Sequence, residues 1–295
     1  MKKLGFVGGG NMAEALIRGL INNRVFAASD LIASDVDPSR RQRLKRLFKL
    51  EVTDTNDRLV REARALVLAV KPQNIAEALT QIRAAAEQQV ADRTNKSERV
   101  SRRHTKRQSP GTLLQQRLFI SIVAGVTIAR LSDALGPRVR IIRVMPNAPA
   151  MVGEGMAAIV RGAAATRADE AFTLKIFKAV GDAVVVRDER MLDAVTALSG
   201  SGPAYVYLFA KALADAAVAE GLPPELALRM ALKTIRGAES NMRQSKLDAT
   251  ELIRLVASPG GTTEAALRKF VEARFSDIVA DALHAAAERS RELGR

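Results

Sequence analysis

The chain has 295 residues, which is enough for about two domains, and its 47% hydrophobic and 26% charged residues are typical of a folded protein. With no cysteine and two histidines, the sequence excludes disulfides, thiolate and multi-histidine metal sites, and a cysteine nucleophile. The net charge is +14, a basic balance that makes nucleic acid a partner to consider.

The first half of the chain alternates strands and helices. Apolar runs predict strands at 3–7, 31–34, 65–70, 118–123 and 140–144. Apolar residues at helical spacing predict helices after residue 11, over 40–50 and over 74–86. The alternation predicts an α/β dinucleotide-binding (Rossmann-like) domain with a parallel, doubly wound sheet over residues 1–165.

The second half of the chain is mainly helical. Helices are predicted at 167–180, 190–220, 223–243, 247–257 and 262–292, with one strand at 183–187. We therefore expect an all-α second domain over residues 166–295.

Residues 88–117 interrupt the first domain. This stretch is rich in Arg, Ser, Gln, Thr and Lys, and its eight basic and two acidic residues supply +6 of the net charge. Such a composition cannot support a core, so we interpret most of it as a mobile insertion between a helix and a strand.

The chain shows no apolar run long enough for a signal peptide or a membrane span. We therefore expect a soluble, cytoplasmic protein with no membrane partner.

The segment 8–13, GGGNMA, fits the dinucleotide-binding pattern G-x-G-x-x-A between a strand and a helix. Gly8 permits the tight turn, Gly10 lets the backbone approach a pyrophosphate, and Ala13 allows close packing of the helix on the sheet. The N–H groups of the following helix turn would then hold the phosphates. A glycine turn that binds nothing is the alternative.

Asp35 ends the second predicted strand, where a carboxylate can accept a hydrogen bond from the adenosine ribose of NAD. A carboxylate here would repel the 2′-phosphate of NADP, whereas Ser34, Arg40 and Arg41 could favour it. The residues therefore leave the choice between NADPH and NADH open, and a simple strand-end cap is also compatible with Asp35.

Three further segments follow predicted strands, at Lys71-Pro72, at Ala124-Gly125 and at 145–147, which ends in Asn147. The carboxyl ends of parallel strands line the ligand crevice of an open sheet, so we expect these segments near the cofactor. The segment 258–263, SPGGTT, lies between two helices and could hold a carboxylate on backbone N–H groups. From composition alone, helix capping by threonine is the preferred interpretation.

Taken together, these motifs resemble the pyrroline-5-carboxylate reductase family. The resemblance is carried, in the order of the family, by the segments FVGGGNMAEAL at 6–16, AVKPQ at 69–73, SIVAGVT at 121–127, RVMPNAP at 143–149, LSGSGPAY at 198–205, SPGGTT at 258–263 and AAERSREL at 286–293. It implies reduction of 1-pyrroline-5-carboxylate to L-proline by NADPH or NADH, the last step of proline biosynthesis. It also implies that the second domain dimerises and that the dimers can assemble into decamers.

The resemblance also assigns residues to the site. The cofactor-binding positions it implies are Gly8, Gly10, Asn11 and Met12 in the turn, and Asn56, Ala69, Lys71, Pro72, Ala124 and Gly125. The strand-end pattern described above adds Ser34, Asp35 and Asn147 as cofactor-binding candidates. The substrate-binding positions are Ser258, Gly261, Thr262 and Thr263, and Thr263 is the catalytic candidate because it matches the threonine that bonds the ring nitrogen. No metal is expected, and the proton donor stays open between Thr263 and water.

Three departures from the family pattern are visible. Ala148 stands where the family usually has threonine, residues 239–241 replace a more apolar pattern, and most of 88–117 has no counterpart.

Two alternatives remain. A related hydroxy-acid or imine dehydrogenase would use a lysine of the helical domain, for which Lys211 is the candidate, although the SPGGTT segment argues against it. Accessory nucleic-acid binding through residues 88–117 is the second alternative. It would depend on contacts with phosphates, because the segment has no aromatic residue before Phe119 on which bases could stack. A basic loop exposed to solvent is the preferred interpretation of this segment.

Overall fold

A computed structural model of the chain describes residues 1–100 and 110–294. It contains one eight-stranded sheet with the order β3-β2-β1-β4-β5-β6-β7-β8. The strands are β1 (Lys2–Val7), β2 (Leu31–Ser34), β3 (Glu51–Thr53), β4 (Ala63–Leu68), β5 (Leu118–Ser121), β6 (Arg140–Pro146), β7 (Gly155–Arg161) and β8 (Gly181–Val185). β1 to β6 are mutually parallel, as predicted, whereas β7 pairs with β6 in the antiparallel direction.

Helices connect the strands and make up most of the chain after β8. They are α1 (Asn11–Asn22), α2 (Pro38–Phe48), α3 (Asp57–Glu62), α4 (Ile75–Val100), α5 (Pro110–Gln115), α6 (Ile128–Leu135), α7 (Arg167–Phe177), α8 (Met191–Val195), α9 (Gly202–Ala219), α10 (Pro224–Gln244), α11 (Ala249–Val256), α12 (Thr262–Glu272) and α13 (Phe275–Leu293). Over the part of the chain that the structure describes, no helix combines the length and apolar character of a membrane span.

The sheet is covered on both faces. On β4, Ala65 and Val67 belong to a buried hydrophobic cluster that also contains residues of α1. Leu66 and Leu68 belong to a second cluster, which contains residues of α3 to α6. This alternation is the period of two expected of a strand, and burial on both faces explains why the strands appear in the sequence as continuous apolar runs.

The chain divides into two compact units. The first consists of Met1–Gly200 with Ala287–Arg295, and the second of Ser201–Ala286. Residues 166–200 group with the sheet because β8 is hydrogen-bonded beside β7. This division by compactness differs from the predicted domains 1–165 and 166–295, and it leaves the second unit entirely helical within its described residues.

The stretch 88–117, interpreted above as a mobile insertion, is helical over much of the part that the structure describes. Helix α4 continues to Val100, well past the predicted end at residue 86, and α5 covers Pro110–Gln115. Residues 75–100 contain neither glycine nor proline and are rich in helix-forming residues, so helix persists where the apolar stripe has faded. Residues 101–109 lie outside the described residues.

Other element predictions also need correction. The strands β3 and β7 were not predicted, because one has three residues and the other, GMAAIVR, is rich in alanine, which favours helix. The predicted helix 190–220 is broken by a π-helical turn at Thr196–Gly200. The predicted helix 262–292 is broken at Arg274, whose φ is +53°.

Gly181 is needed where β8 begins beside β7. Its φ is +148°, and a Cβ there would lie 1.9 Å from the carbonyl oxygen of Gly155. Gly153, in the same unit, also has a positive φ of +82°, but a Cβ there would meet no atom within 4 Å. Replacing each glycine by alanine therefore distinguishes the cost of backbone strain alone, at residue 153, from the cost of strain plus a steric clash, at residue 181.

We predict that Gly181→Ala lowers the melting temperature by roughly 5–15 °C, because strain and overpacking together cost about 2–4 kcal/mol. Gly153→Ala, which carries the strain alone, should lower it by less than about half as much. Thermal unfolding followed by circular dichroism tests both variants. Equal decreases in melting temperature would contradict a steric clash between a Cβ at residue 181 and Gly155.

Candidate functional site

The glycine turn after β1 lies at the point where the strand order reverses. β1 pairs with β2 on one side and with β4 on the other, and their carboxyl ends meet at one edge of the sheet. Ligands of open parallel sheets bind in the crevice at such a switch point. Here that edge holds a cavity of about 400 Å³.

Gly8 makes the close approach that forms this edge. It has a φ of +99°, its N–H donates to the carbonyl oxygen of Ser34 (2.9 Å), and a Cβ there would lie 2.8 Å from the carbonyl oxygen of Ala69. A side chain at residue 8 would therefore separate the ends of β1 and β4. The requirement for glycine at this position follows from the protein backbone alone.

Gly10 is different, because a Cβ at this residue would meet no protein atom within 4 Å. Gly10 precedes α1 and caps it through its backbone, and its carbonyl oxygen accepts the N–H of Glu14 (2.9 Å). The first-turn N–H groups of α1, at Asn11 and Met12, have no carbonyl partner within the helix. Since nothing in the protein fills the space at Gly10, the turn has room for a phosphate group there.

Seven of the predicted cofactor residues line this cavity: Gly8, Gly10, Ser34, Asp35, Asn56, Ala69 and Lys71. Ser34 and Asn56 are buried, with 3% and 8% of their surfaces exposed, and the Ser34 hydroxyl donates to Asn56 Oδ1 (2.6 Å). Asn56 Nδ2 donates in turn to Gln81 Oε1 (2.6 Å). This chain of hydrogen bonds fixes the wall of the cavity between β2 and α4.

The carboxylate of Asp35 supports the glycine turn. Its Oδ2 accepts the N–H of Gly9 (2.7 Å), and its Oδ1 accepts the N–H of Asp37 (2.9 Å). Asp35 therefore connects the turn after β1 to the turn after β2.

The other predicted cofactor residues lie outside this cavity lining. Asn11 borders a neighbouring cavity of about 820 Å³, Met12 packs against the core, and Pro72 begins a short 3-10 turn, Pro72–Asn74. Ala124 and Gly125 follow the end of β5. Gly125 has a φ of +71°, and a Cβ there would lie 2.8 Å from the carbonyl oxygen of Leu293 at the end of α13.

Asn147 uses both ends of its side chain within the protein. Its Nδ2 donates to Ser199 (3.2 Å to the carbonyl oxygen and 3.2 Å to Oγ), and its Oδ1 accepts the N–H of Met156 (2.8 Å). It thereby ties the segment after β6 to β7 and to the π-helical turn. Its role at the cofactor stays a prediction.

Sequence reasoning did not assign several residues of the cavity wall. They include Asp54 and polar residues just before and within the start of α4, namely Gln73, Asn74, Glu77 and Gln81. Positions 74, 77, 78 and 81 share one face of a helix. That spacing, in a helix beginning just after the strand end at Lys71, is the signal that could have found them.

The loop at 258–261 and the start of α12 belong to the second unit. Gly260 has a φ of +71°, its N–H donates to the Glu264 carboxylate (2.5 Å), and the N–H of Gly261 donates to the Ser258 carbonyl oxygen (3.0 Å). The first bond of α12 runs from the N–H of Ala265 to Gly261 (3.2 Å). The N–H groups of Thr262 and Thr263 are therefore first-turn groups without a helical partner, and Thr263 is half-buried.

Among the described residues, no three histidine or acidic side chains gather where they could hold a metal ion.

Two family models match the chain. The model described as "Pyrroline-5-carboxylate reductase dimerisation" matches residues 189–293, and the one described as "NADP oxidoreductase coenzyme F420-dependent" matches residues 3–96. The chain is 35% identical over 293 residues to the pyrroline-5-carboxylate reductase of Arabidopsis thaliana, covering 99% of this chain and 96% of that protein. It is 36% identical over 291 residues to that of Pseudomonas aeruginosa, covering 99% and 96%.

A solved structure is similar over the whole chain. The crystal structure of Plasmodium falciparum pyrroline carboxylate reductase with NADP bound has a TM-score of 0.82 and 30% identity, covering 100% of this chain and 98% of that one.

Next to the glycine turn, Glu14 on α1 is buried and holds α2 in place. Its carboxylate accepts two hydrogen bonds from Arg43 (2.6 and 2.9 Å) and one from Arg18 (2.8 Å). The hydrogen bonds from Arg43 have the largest effect, and together with the charge of Arg43 and the bond and charge of Arg18 they outweigh burial, so that the pKa of Glu14 lies below its usual range.

We predict that Glu14→Gln destabilises the protein by roughly 1–3 kcal/mol at pH 7. A lowered folded-state pKa means that this stabilisation is complete above the pKa of the unfolded chain and is lost as the pH falls through the folded value. The difference in melting temperature between wild type and variant should therefore shrink from about pH 5 downward. Glu154→Gln, at an exposed position, is the control, and a difference independent of pH would contradict the assignment.

Proposed function

This chain belongs to the pyrroline-5-carboxylate reductase family, and we propose that it reduces 1-pyrroline-5-carboxylate to L-proline with NADPH or NADH, the last step of proline biosynthesis. The observation that carries this proposal is the match with reductases over nearly the full length of both proteins, in a chain whose glycine turn lies at the switch point of its sheet. Membership of this family argues against the hydroxy-acid dehydrogenase alternative, whose candidate, Lys211, is ion-paired with Asp215 (2.5 Å).

The residues at the switch point fit a dinucleotide. We assign the pyrophosphate to Gly8, Gly10 and the first turn of α1, where a Cβ at residue 10 would occupy the open space. We assign the adenosine part of the dinucleotide to Ser34, Asp35 and Asn56. We assign the rest of the dinucleotide to Ala69, Lys71, Pro72, Ala124, Gly125 and Asn147. The arrangement of strand ends around one cavity supports the assignments of Gly8, Gly10, Ser34, Asp35, Asn56, Ala69 and Lys71.

The start of α12 suits the carboxylate of the substrate. The N–H groups of Thr262 and Thr263 and the positive end of an eleven-residue helix favour an anion. Ser258 and Gly261 set the turn before the helix, and the Glu264 side chain fixes Gly260. We assign the substrate carboxylate to this turn and the ring nitrogen to the hydroxyl of Thr263.

The chemistry asks little of the protein side chains. When bound, the reduced nicotinamide supplies the hydride, and the iminium form of the substrate is already electrophilic at C5. The protein then has to orient the ring and bring the reacting carbon close to the cofactor. This accounts for a site built from glycine, threonine and backbone N–H groups.

The chain forms a homo-oligomer through its helical part. α9 to α13 expose large apolar side chains, among them Tyr207, Leu208, Leu255, Val256, Val271 and Ile278. Exposed apolar surface of this kind marks a protein interface, and the dimerisation model matches the same region. We further propose that dimers assemble into decamers, that the enzyme works in the cytoplasm, and that it binds neither membrane nor nucleic acid.

We predict robust oxidation of NADH or NADPH in the presence of 1-pyrroline-5-carboxylate, with proline as the product. The measurement is the loss of absorbance of the reduced nicotinamide, together with quantification of proline. A folded protein that binds the dinucleotide but turns over with neither cofactor would overturn the proposed function.

The hydroxyl of Thr263 can be tested with matched variants. We expect Thr263→Val, which removes the hydroxyl but keeps the shape, to lower kcat by about 10–100-fold, because the ring nitrogen loses its orienting hydrogen bond. Thr263→Ser keeps the hydroxyl and should retain most activity. If the valine variant turns over like the wild type, the role of Thr263 is wrong.

A further inference from the structure

Glu189, in the turn between β8 and α8, joins α6 to β6. Its Oε1 accepts the N–H of Ile128 (2.9 Å), the first residue of α6, and Nη1 of Arg143 (2.7 Å), which lies on β6. The N–H of Ile128 is a first-turn group without a helical partner, so the carboxylate supplies the acceptor that the helix lacks. One carboxylate oxygen therefore bridges a helix start and a strand.

The surroundings of this bridge hold it in one geometry. Arg143 is buried, with 8% of its surface exposed, and 28% of the Glu189 side chain is exposed. The backbone of Glu189 is fixed as well, because its carbonyl oxygen accepts the N–H of Leu192 (3.0 Å) in the turn that leads into α8. Hydrogen bonds between charged groups are strong, and loss of the carboxylate would leave the buried guanidinium without its counter-charge.

The bridge determines where the loop after β5 ends. This loop, residues 122–127, leaves the sheet beside β4, where the N–H of Ile122 donates to the carbonyl oxygen of Leu68 (3.1 Å). At its other end, Glu189 holds the N–H of Ile128. The loop is therefore fixed at one end by the backbone of β4 and at the other end by the Glu189 carboxylate.

The strand order places this loop beside the reacting end of the dinucleotide. With the adenosine assigned to the end of β2 and the pyrophosphate to the end of β1, the rest of the dinucleotide has to extend over the ends of β4 and β5, on the other side of β1. Ala69, which follows β4, lines the cavity. The loop begins next to it, since Ile122 is bonded to Leu68.

We propose that Glu189 is a positioning residue for hydride transfer. Through its bonds to Ile128 and Arg143 it holds in place the loop on which the nicotinamide end of the cofactor rests, and it contacts neither cofactor nor substrate itself. The rate of transfer depends steeply on the placement of the reacting atoms, so a small displacement of this loop is costly. The inference rests on the proposed function, in that it assigns Ala124 and Gly125 to the cofactor.

The first test is Glu189→Ala, which removes both hydrogen bonds. We expect kcat to fall by about 10–100-fold, because the nicotinamide end is displaced from its reacting position. The affinity for ADP-ribose, which carries the adenosine and the pyrophosphate but no nicotinamide, should change by less than about threefold, since independent sites couple weakly. If the wild type turns over NADPH faster than NADH, the 2′-phosphate of ADP-ribose takes its place in this titration.

An isotope effect distinguishes positioning from a general loss of structure. With deuterium at the transferred position of the nicotinamide, the isotope effect on kcat should be larger in Glu189→Ala than in the wild type, because hydride transfer then limits turnover in place of product release. Partial unfolding lowers kcat with the fraction of folded enzyme and leaves the isotope effect at its wild-type value. An unchanged isotope effect, with or without a fall in kcat, would overturn the proposal.

Glu189→Gln and Asp188→Asn form a matched pair. Glu189→Gln keeps an oxygen for the N–H of Ile128 but loses the charge facing Arg143, and it should lower kcat by about 3–10-fold, since a neutral acceptor binds a guanidinium more weakly. Asp188 pairs with Arg190, and 40% of its side chain is exposed. Asp188→Asn should therefore change kcat by less than about threefold. Should Glu189→Ala fail to fold, this pair decides, and equal kcat values for the two variants would overturn the proposal.

Fluorescence separates this inference from the proposed function. A bound reduced nicotinamide emits more strongly when its surroundings restrict its motion, and we expect a smaller gain on binding to Glu189→Gln than to Asp188→Asn. This measurement needs no substrate. A smaller gain in a protein that does not reduce 1-pyrroline-5-carboxylate would support the role of Glu189 and contradict the proposed reaction. Equal gains, in a protein with normal turnover, would do the reverse.

Discussion

The approach of Gly8 to Ala69 is the constraint on which the cavity at the switch point of the sheet depends. β1 lies between β2 and β4, so its carboxyl end must turn out of the sheet between two neighbours. A left-handed glycine makes this turn in one residue, and the carbonyl oxygen of Ala69 occupies the space where a side chain would lie. The start of α1, the carboxylate of Asp35 and the hydrogen-bonded pair of Ser34 and Asn56 all take their positions around this turn.

Much of the first unit could be predicted from the sequence because its local signals agree with its fold. The strands β1, β2 and β5 lie within two residues of the predicted spans, because each is a continuous apolar run that ends at a polar or glycine residue. The glycine turn was predicted for the same reason, because its glycine spacing and its position between a strand and a helix both indicate the same strand–turn–helix unit. Agreement between the local and the global preference is what makes a segment predictable.

The failures share a physical cause. Helix α4 extends to Val100 without an apolar stripe strong enough to mark it, and β7 forms in an alanine-rich segment because β6 is there to pair with it. At the site, polar residues at strand ends were recognised, but the sequence does not say which partners they meet. Asn147 is predicted to contact the cofactor, and the sequence did not show that its side-chain amide also hydrogen-bonds Ser199 and the backbone N–H of Met156. Whether a polar side chain faces a ligand or its own backbone is decided by tertiary contacts.

The end of α13 has a consequence for biosynthesis on the ribosome. The carbonyl oxygen of Leu293 closes over Gly125, and the hydroxyl of Ser290 donates to Asp193 Oδ1 (2.7 Å), so that the last helical turns complete a unit whose sheet ends at Val185. Domains generally fold from the N-terminus as the chain emerges. Here the sheet can assemble early, but the loop after β5 acquires its final packing only when residues 290–293 have left the exit tunnel. A nascent chain arrested before residue 290 would therefore hold a formed sheet with an unfinished loop after β5.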